Sequence, residues 1–189
     1  MEVQDQEQAG QVAIMTPAWC HGLVHFNPYG GAAAELAAKL VNADPATPLL
    51  DVLKASDYKP LGSLDARQER DVRDWVERLR KVFRAPTVEL LNELLAESST
   101  THYISTHDGR APHLHYARED APTDVRVKAY TAAGMAALFC EDAGRIGSCD
   151  RDGCATVFVD TSRNGRRRFC STKCANRVAV ALHRQRQSA

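Results

Sequence analysis

Four cysteines near the C-terminus constrain this chain more than any other feature. Cys149 and Cys154 are spaced C-x4-C, Cys170 and Cys174 are spaced C-x3-C, and fifteen residues separate the pairs. Two close pairs on turns, joined by a short excursion, is the layout of a structural zinc site. Zinc takes four tetrahedral ligands, and four thiolates close that shell without a position for catalytic water. The expected cofactor is therefore one structural Zn²⁺. A redox dithiol more often has the spacing C-x-x-C, which neither pair shows. Iron–sulfur ligation lacks its usual spacings here.

The residues between the pairs fit such a site. Ala155–Val159 read as a strand, Asp160–Gly165 as a turn, and Arg166–Phe169 as a return strand, giving a zinc-bound hairpin. Ser171 or Thr172 can cap a helix starting at the second cysteine pair. Hairpin then helix is a treble-clef-like arrangement, in which zinc rather than a core is expected to hold residues 145–189 together. Cys140 and Cys20 are expected to be buried small hydrophobes.

The formal net charge of zero conceals an asymmetry. Residues 145–189 hold ten Lys/Arg and three Asp/Glu, a balance of +7, and residues 1–144 balance it at −7. A basic tail on an acidic body points to an anionic partner, or to attraction between the halves. On a helix over 172–186, Lys173, Arg177 and Arg184 fall in one stripe roughly 40° wide, bordered by Asn176 and His183. Val178, Ala181 and Leu182 are expected to pack on the zinc hairpin from another face. Arg163, Arg166, Arg167 and Arg168 add a second cluster, and Arg186 extends the first. These ten residues are the candidate nucleic-acid contacts, with DNA the expected partner. Some of the arginines could instead support the fold by capping carbonyls or pairing with Asp160 or Asp152.

Upstream the pattern is mainly helical. Residues 1–12 are polar and aperiodic, which predicts a disordered tail. Helices are expected over 31–43, with Leu36, Leu40 and Val41 inward, and over 48–55, with Thr47 as N-cap and Pro48 in the first turn. The strongest signal is 64–84, where Val72, Trp75, Val76, Leu79, Val82 and Phe83 recur at three- and four-residue steps. Residues 86–98 read as a further helix with Val88, Leu91, Leu94 and Leu95 inward. Asp108-Gly109 between β-formers predicts a hairpin over 101–116. Thr123 is expected to cap a buried helix running to about Asp142, with Gly144 closing it. The fold class expected is α+β: a mainly helical N-terminal domain with a β-hairpin, plus the small four-cysteine module.

CATVFVDTSRNGRRRFCSTKCANRVAVALHRQRQ resembles the C-terminal CGNR zinc finger of bacterial proteins described as stress-induced transcription regulators. The likeness rests on the first cysteine pair, the F-V-D-T-S-R-N stretch, the arginine run, and C-x-N-R followed by a basic helix, and covers about residues 145–187. Ala175 stands where the motif has glycine and Phe169 where tryptophan is common; Asn176 and Arg177 are retained. The alanine implies ordinary helical backbone at that point. Such proteins carry an N-terminal ABATE domain, a mixed α/β unit described as a sensor, and residues 13–144 are similar in layout. The resemblance implies a DNA-binding transcription regulator with a sensing or oligomerising body, which would bind a small-molecule effector or form a homodimer.

Other clusters carry weaker chemistry. His102, His107, His113 and His115 lie on the predicted hairpin, with His113 and His115 on one face. A solvated face is the favoured reading, and a second metal or ligand site the alternative. Cys20, His21 and His25 form a similar cluster, and Trp19, Phe26 and Tyr29 could line a pocket but read as core. No P-loop, dinucleotide fingerprint, nucleophile elbow or H-E-x-x-H occurs, so no enzyme is expected. The polar, acidic start lacks the pattern of a secretory signal and no apolar run could span a bilayer, so the expected site is the cytoplasm, away from membranes. There thiols stay reduced, which disfavours disulfides. The alternatives to DNA binding are a zinc-dependent protein-interaction adaptor and an RNA-binding protein.

Overall fold

The computed structural model describes residues 28–59, 62–106 and 112–187. The expectations for residues 1–12, Trp19, Cys20, His21, His25, Phe26, His107 and the Asp108-Gly109 turn lie outside them, as does the side chain of Tyr29. Helices α1 (Pro28–Asn42), α2 (Leu49–Ala55), α3 (Ala66–Arg84) and α4 (Val88–Glu97) precede a hairpin of β1 (Tyr103–Ser105) and β2 (His113–His115). Helix α5 (Thr123–Asp142) runs through a 3-10 turn, Ala143–Arg145, into β3 (Ile146–Ser148). Strand β4 (Val157–Val159) and helix α6 (Thr172–Gln187) complete the chain. The fold is thus helix-rich, with two small antiparallel hairpins, β1–β2 and β3–β4.

α3 forms as its sequence dictates. Asp65 accepts from the backbone N–H groups of Arg67 and Gln68, and the Gln68 side chain accepts from Asp65 N–H, a reciprocal capping box. Val72, Trp75, Val76, Leu79, Val82 and Phe83 are all buried, the six residues read from periodicity. Trp75 Nε1 donates to Thr131 Oγ1 at 3.0 Å, and that hydroxyl donates on to the Val127 carbonyl at 2.7 Å. The core therefore contains a satisfied polar chain linking α3 to α5.

α5 packs most closely on α1. Gly134 makes this possible: a Cβ there would lie 2.3 Å from Ala33 Cβ and 2.9 Å from Ala34 N, both fixed atoms. Leu36, Leu40 and Val41 of α1 are buried as expected.

Several local expectations are corrected. Pro48, not Thr47, occupies the N-cap position of α2, because a turn closed by Thr47 N–H on the Asp44 carbonyl precedes it. Pro122, not Thr123, precedes α5, and Thr123 is buried as its first residue. Gly144 has no left-handed φ; the 3-10 turn is capped instead by Asp142 Oδ1 on Gly144 N–H. On α4 Leu91 and Leu94 are buried as expected, but Val88 and Leu95 are exposed, and Leu90 packs half-buried against the core instead. Cys140 is exposed rather than buried.

The hydrophobic core does not stop at residue 144. Ile146, Val157 and Val159 belong to the same buried cluster as α1, α3 and α5. At about 1.5–3 kcal/mol for each fully buried side chain, these three anchor β3–β4 to the body. Zinc is therefore not the sole support of residues 145–189. The hairpin itself differs from the expected one: β4 pairs with Ile146–Ser148, not with Arg166–Phe169. Among the described residues no helix is long and apolar enough to cross a membrane.

Candidate metal centre

Cys149 leaves the end of β3, and its N–H donates to the Thr156 carbonyl at 3.0 Å, closing the loop that carries the first pair. Cys154 N–H donates to the Arg151 carbonyl within that loop. Cys170 stands before α6 and Cys174 in its first turn. There the Ser171 hydroxyl accepts from Cys174 N–H at 3.3 Å, so Ser171 is the cap. The backbone N–H of Asp150 donates to the Arg168 carbonyl at 2.9 Å, drawing the two halves together.

The four Sγ atoms all lie within 4.8 Å of one another. Cys154 and Cys170 Sγ are 3.8 Å apart, and Cys170 and Cys174 Sγ 3.5 Å. A tetrahedron with Zn–S bonds of about 2.3 Å has edges of about 3.8 Å. The donor set and its spacing thus fit one zinc ion with a closed shell. Cys149 and Cys174 are buried, and Cys154 and Cys170 half-buried.

The surroundings favour thiolates unevenly. The Thr156 hydroxyl, 3.4 Å from Cys154 Sγ, and its backbone N–H bring the Cys154 thiol down to about 6. Arg151 Nε donates to Cys174 Sγ at 3.2 Å and holds that thiol below its ordinary value. Burial, then the contact with Cys174, raises Cys170 to about 11. Metal uptake accordingly displaces a proton from Cys170. Zinc with four thiolates carries a charge of −2, and Arg151 offsets part of it. Sequence reasoning missed Arg151; a lone cation inside the C-x4-C loop is the signal that marks it.

The second loop is held by a polar knot. Arg145, 4% exposed, donates from Nη1 to the carbonyls of Asp160 and Ser162, both at 2.8 Å, and pairs with Asp142 at 3.2 Å. The Asp160 carboxylate is fully buried and accepts from the N–H groups of Ser162 at 2.8 Å and Arg167 at 2.7 Å. Burial works to raise its pKa, but hydrogen bonds involving Ser162 and Arg167 N–H, with the charge of Arg145, outweigh it and hold the carboxyl below its usual range. Gly165 completes the knot with φ +57°, where a Cβ would lie 3.3 Å from both Arg145 Cζ and Asp142 Oδ2.

The basic cluster divides into two kinds. Arg167 lies over the Phe158 ring at 4.5 Å and donates to the Phe169 and Cys170 carbonyls. Arg168 pairs with Asp150 at 2.7 Å. Arg163 and Arg166 are exposed and have no side-chain partner among the described residues. On α6, Lys173, Asn176, Arg177 and Arg184 line one surface groove with Thr172, Val180 and Ala181. Sequence reasoning passed over Val180, which lies inside the basic stripe. His183, beside Gln187, and Arg186 are exposed further along. The expected docking face is corrected: Val178 is half-buried, but Ala181 and Leu182 are exposed. Beyond Cys174, α6 makes no extensive contact with another element among the described residues. It runs unbroken through Ala175.

A family model described as the CGNR zinc finger matches residues 145–187. All four cysteines fall inside the match, which together with their convergence identifies the cluster as a zinc site. No curated protein matches the chain.

Proposed function

We propose that this protein is a DNA-binding transcription regulator in which a structural zinc ion aims a basic helix. One observation carries the reading: Lys173, Asn176, Arg177 and Arg184 share one groove on a helix that is otherwise almost bare. A helix is about 10–12 Å across with its side chains, and the DNA major groove is about 12 Å wide. Arg177 and Asn176 are of the types that read base edges, and the exposed Arg163 and Arg166 would meet phosphates. Lys173, His183, Arg184 and Arg186 add charge along the helix. With the zinc shell counted, the module carries about +5. Its hairpin, loop and helix are read as treble-clef-like, and residues 13–144 as an ABATE-like body that senses an effector or dimerises in the cytoplasm. No catalytic role is proposed.

The adaptor reading has its own support in the exposure of Val180 and Leu182 at 50% and 47%, since apolar residues among cations also suit an acidic protein surface. Titration of the zinc-loaded chain with duplex DNA at two salt concentrations, against single-stranded RNA, tests the choice. Affinity for duplex should fall steeply with salt, and Arg177→Ala with Arg184→Ala should weaken it at least about tenfold, while Arg177→Ala alone should leave thermal stability unchanged. Arg167→Ala should instead lower stability. Duplex affinity untouched by the double substitution sinks the assignment of α6.

A further inference from the structure

We infer that the β1–β2 hairpin carries a second metal site, independent of the four cysteines, in which His113 and His115 chelate one divalent d-block cation. The two residues are two apart on β2, so both imidazoles stand on the same face. Their Nε2 atoms are 3.0 Å apart. With metal–nitrogen bonds of about 2.0–2.1 Å, that separation subtends roughly 91–97° at a shared ion. This is the cis angle of square-planar or octahedral coordination, the preference of Ni²⁺ and Cu²⁺. A tetrahedral zinc would need the nitrogens about 3.4 Å apart.

The ring orientation is fixed from behind. Tyr103 is the cross-strand partner of His115, with ring centroids 4.9 Å apart, and its hydroxyl lies 3.2 Å from His115 Nδ1. With the proton on Nδ1 and the Tyr103 oxygen accepting it, the Nε2 lone pair of His115 is turned to the shared point. In the neutral pair the Nε2 proton of His113 lies between the two Nε2 atoms; a cation takes that proton's place and His113 shifts to its Nδ1–H tautomer, with no net proton released. Both imidazoles are half-buried, while Ile104 and Leu114 occupy the opposite, exposed face. The pair is thus preorganised on a paired strand.

The test is titration of untagged, zinc-loaded full-length protein with Ni²⁺, followed by calorimetry and by counting both metals after dialysis. One Ni²⁺ per chain with zinc still at one per chain is the expected result. His113→Gln and His115→Gln should each weaken Ni²⁺ binding about tenfold or more. His102→Gln and His183→Gln should leave it unchanged. Three results overturn the site: no saturable Ni²⁺ binding, binding unaltered in the His113→Gln/His115→Gln double variant, or nickel taken up only as zinc is lost.

Discussion

Asn42, the last residue of α1, and Val157, the first of β4, exchange two hydrogen bonds across 115 positions of sequence. Asn42 Nδ2 donates to the Val157 carbonyl at 2.8 Å, and Val157 N–H donates to Asn42 Oδ1 at 2.9 Å. A side-chain amide thus takes the place of a neighbouring strand on one edge of the β3–β4 hairpin. Because β4 leads from Cys154 toward the second cysteine pair, this clamp fixes the metal centre against the body.

Asn42→Ala should cost about 1–2 kcal/mol, since net hydrogen bonds are worth about 1 kcal/mol each and the freed groups can reach water. Urea denaturation measures the loss, and faster amide exchange at Val157 localises it. Unchanged exchange there means that the clamp does not hold the hairpin.

Zinc removal should divide the module instead of unfolding it entirely. Structural zinc contributes on the order of 10 kcal/mol in such sites, but Ile146, Val157 and Val159 remain in the body's core. Chelation, or Cys170→Ser, should therefore release residues 149–154 and α6 to rapid amide exchange. β3–β4 and helices α1, α3 and α5 should stay protected. Metal content should fall from one zinc per chain to none.

Asp160 should give the module an acid-sensitive increment of stability. Its carboxyl is held below the ordinary carboxylate value. The stabilisation is therefore present above about pH 3.9, the unfolded value, and is lost as pH falls through the lower folded value. Asp160→Asn should cost about 2 kcal/mol at neutral pH, the scale of hydrogen bonds to a charged acceptor. The stability gap between wild type and variant should close on acidification, with loss of zinc common to both. A gap that persists in acid contradicts the carboxylate account.

The parts of the fold legible in sequence are those set by local period and spacing. All six inward residues of α3 follow from a 3.6-residue repeat, because a strongly amphipathic helix has one face that can be buried. α4 follows the same rule less well. Val88 and Leu95 carry the apolar signal, yet they remain exposed while Leu90 packs on the core. The partner of β4 was illegible. Ile146-Gly147-Ser148 is too short for a period, and Gly147 is there because a Cβ would lie 2.9 Å from the cross-strand Phe158 ring. Nor could sequence sort the arginine run, since Arg166 and Arg167 differ only in what the fold brings beside them.

The sequence alone determined the zinc site, because ligand type and spacing along a short chain nearly suffice to close a tetrahedral thiolate shell. It also determined the amphipathic helices, whose period is a local property. Tertiary structure alone decided which cations are engaged: Arg145 inside the knot, Arg151 on a thiolate, Arg167 on Phe158, and Arg163, Arg166 and Arg177 left in water. It alone brought Asn42 to Val157 and set the two imidazole nitrogens 3.0 Å apart. Such partnerships depend on which surfaces meet when distant segments pack, and no local pattern of residues encodes that meeting.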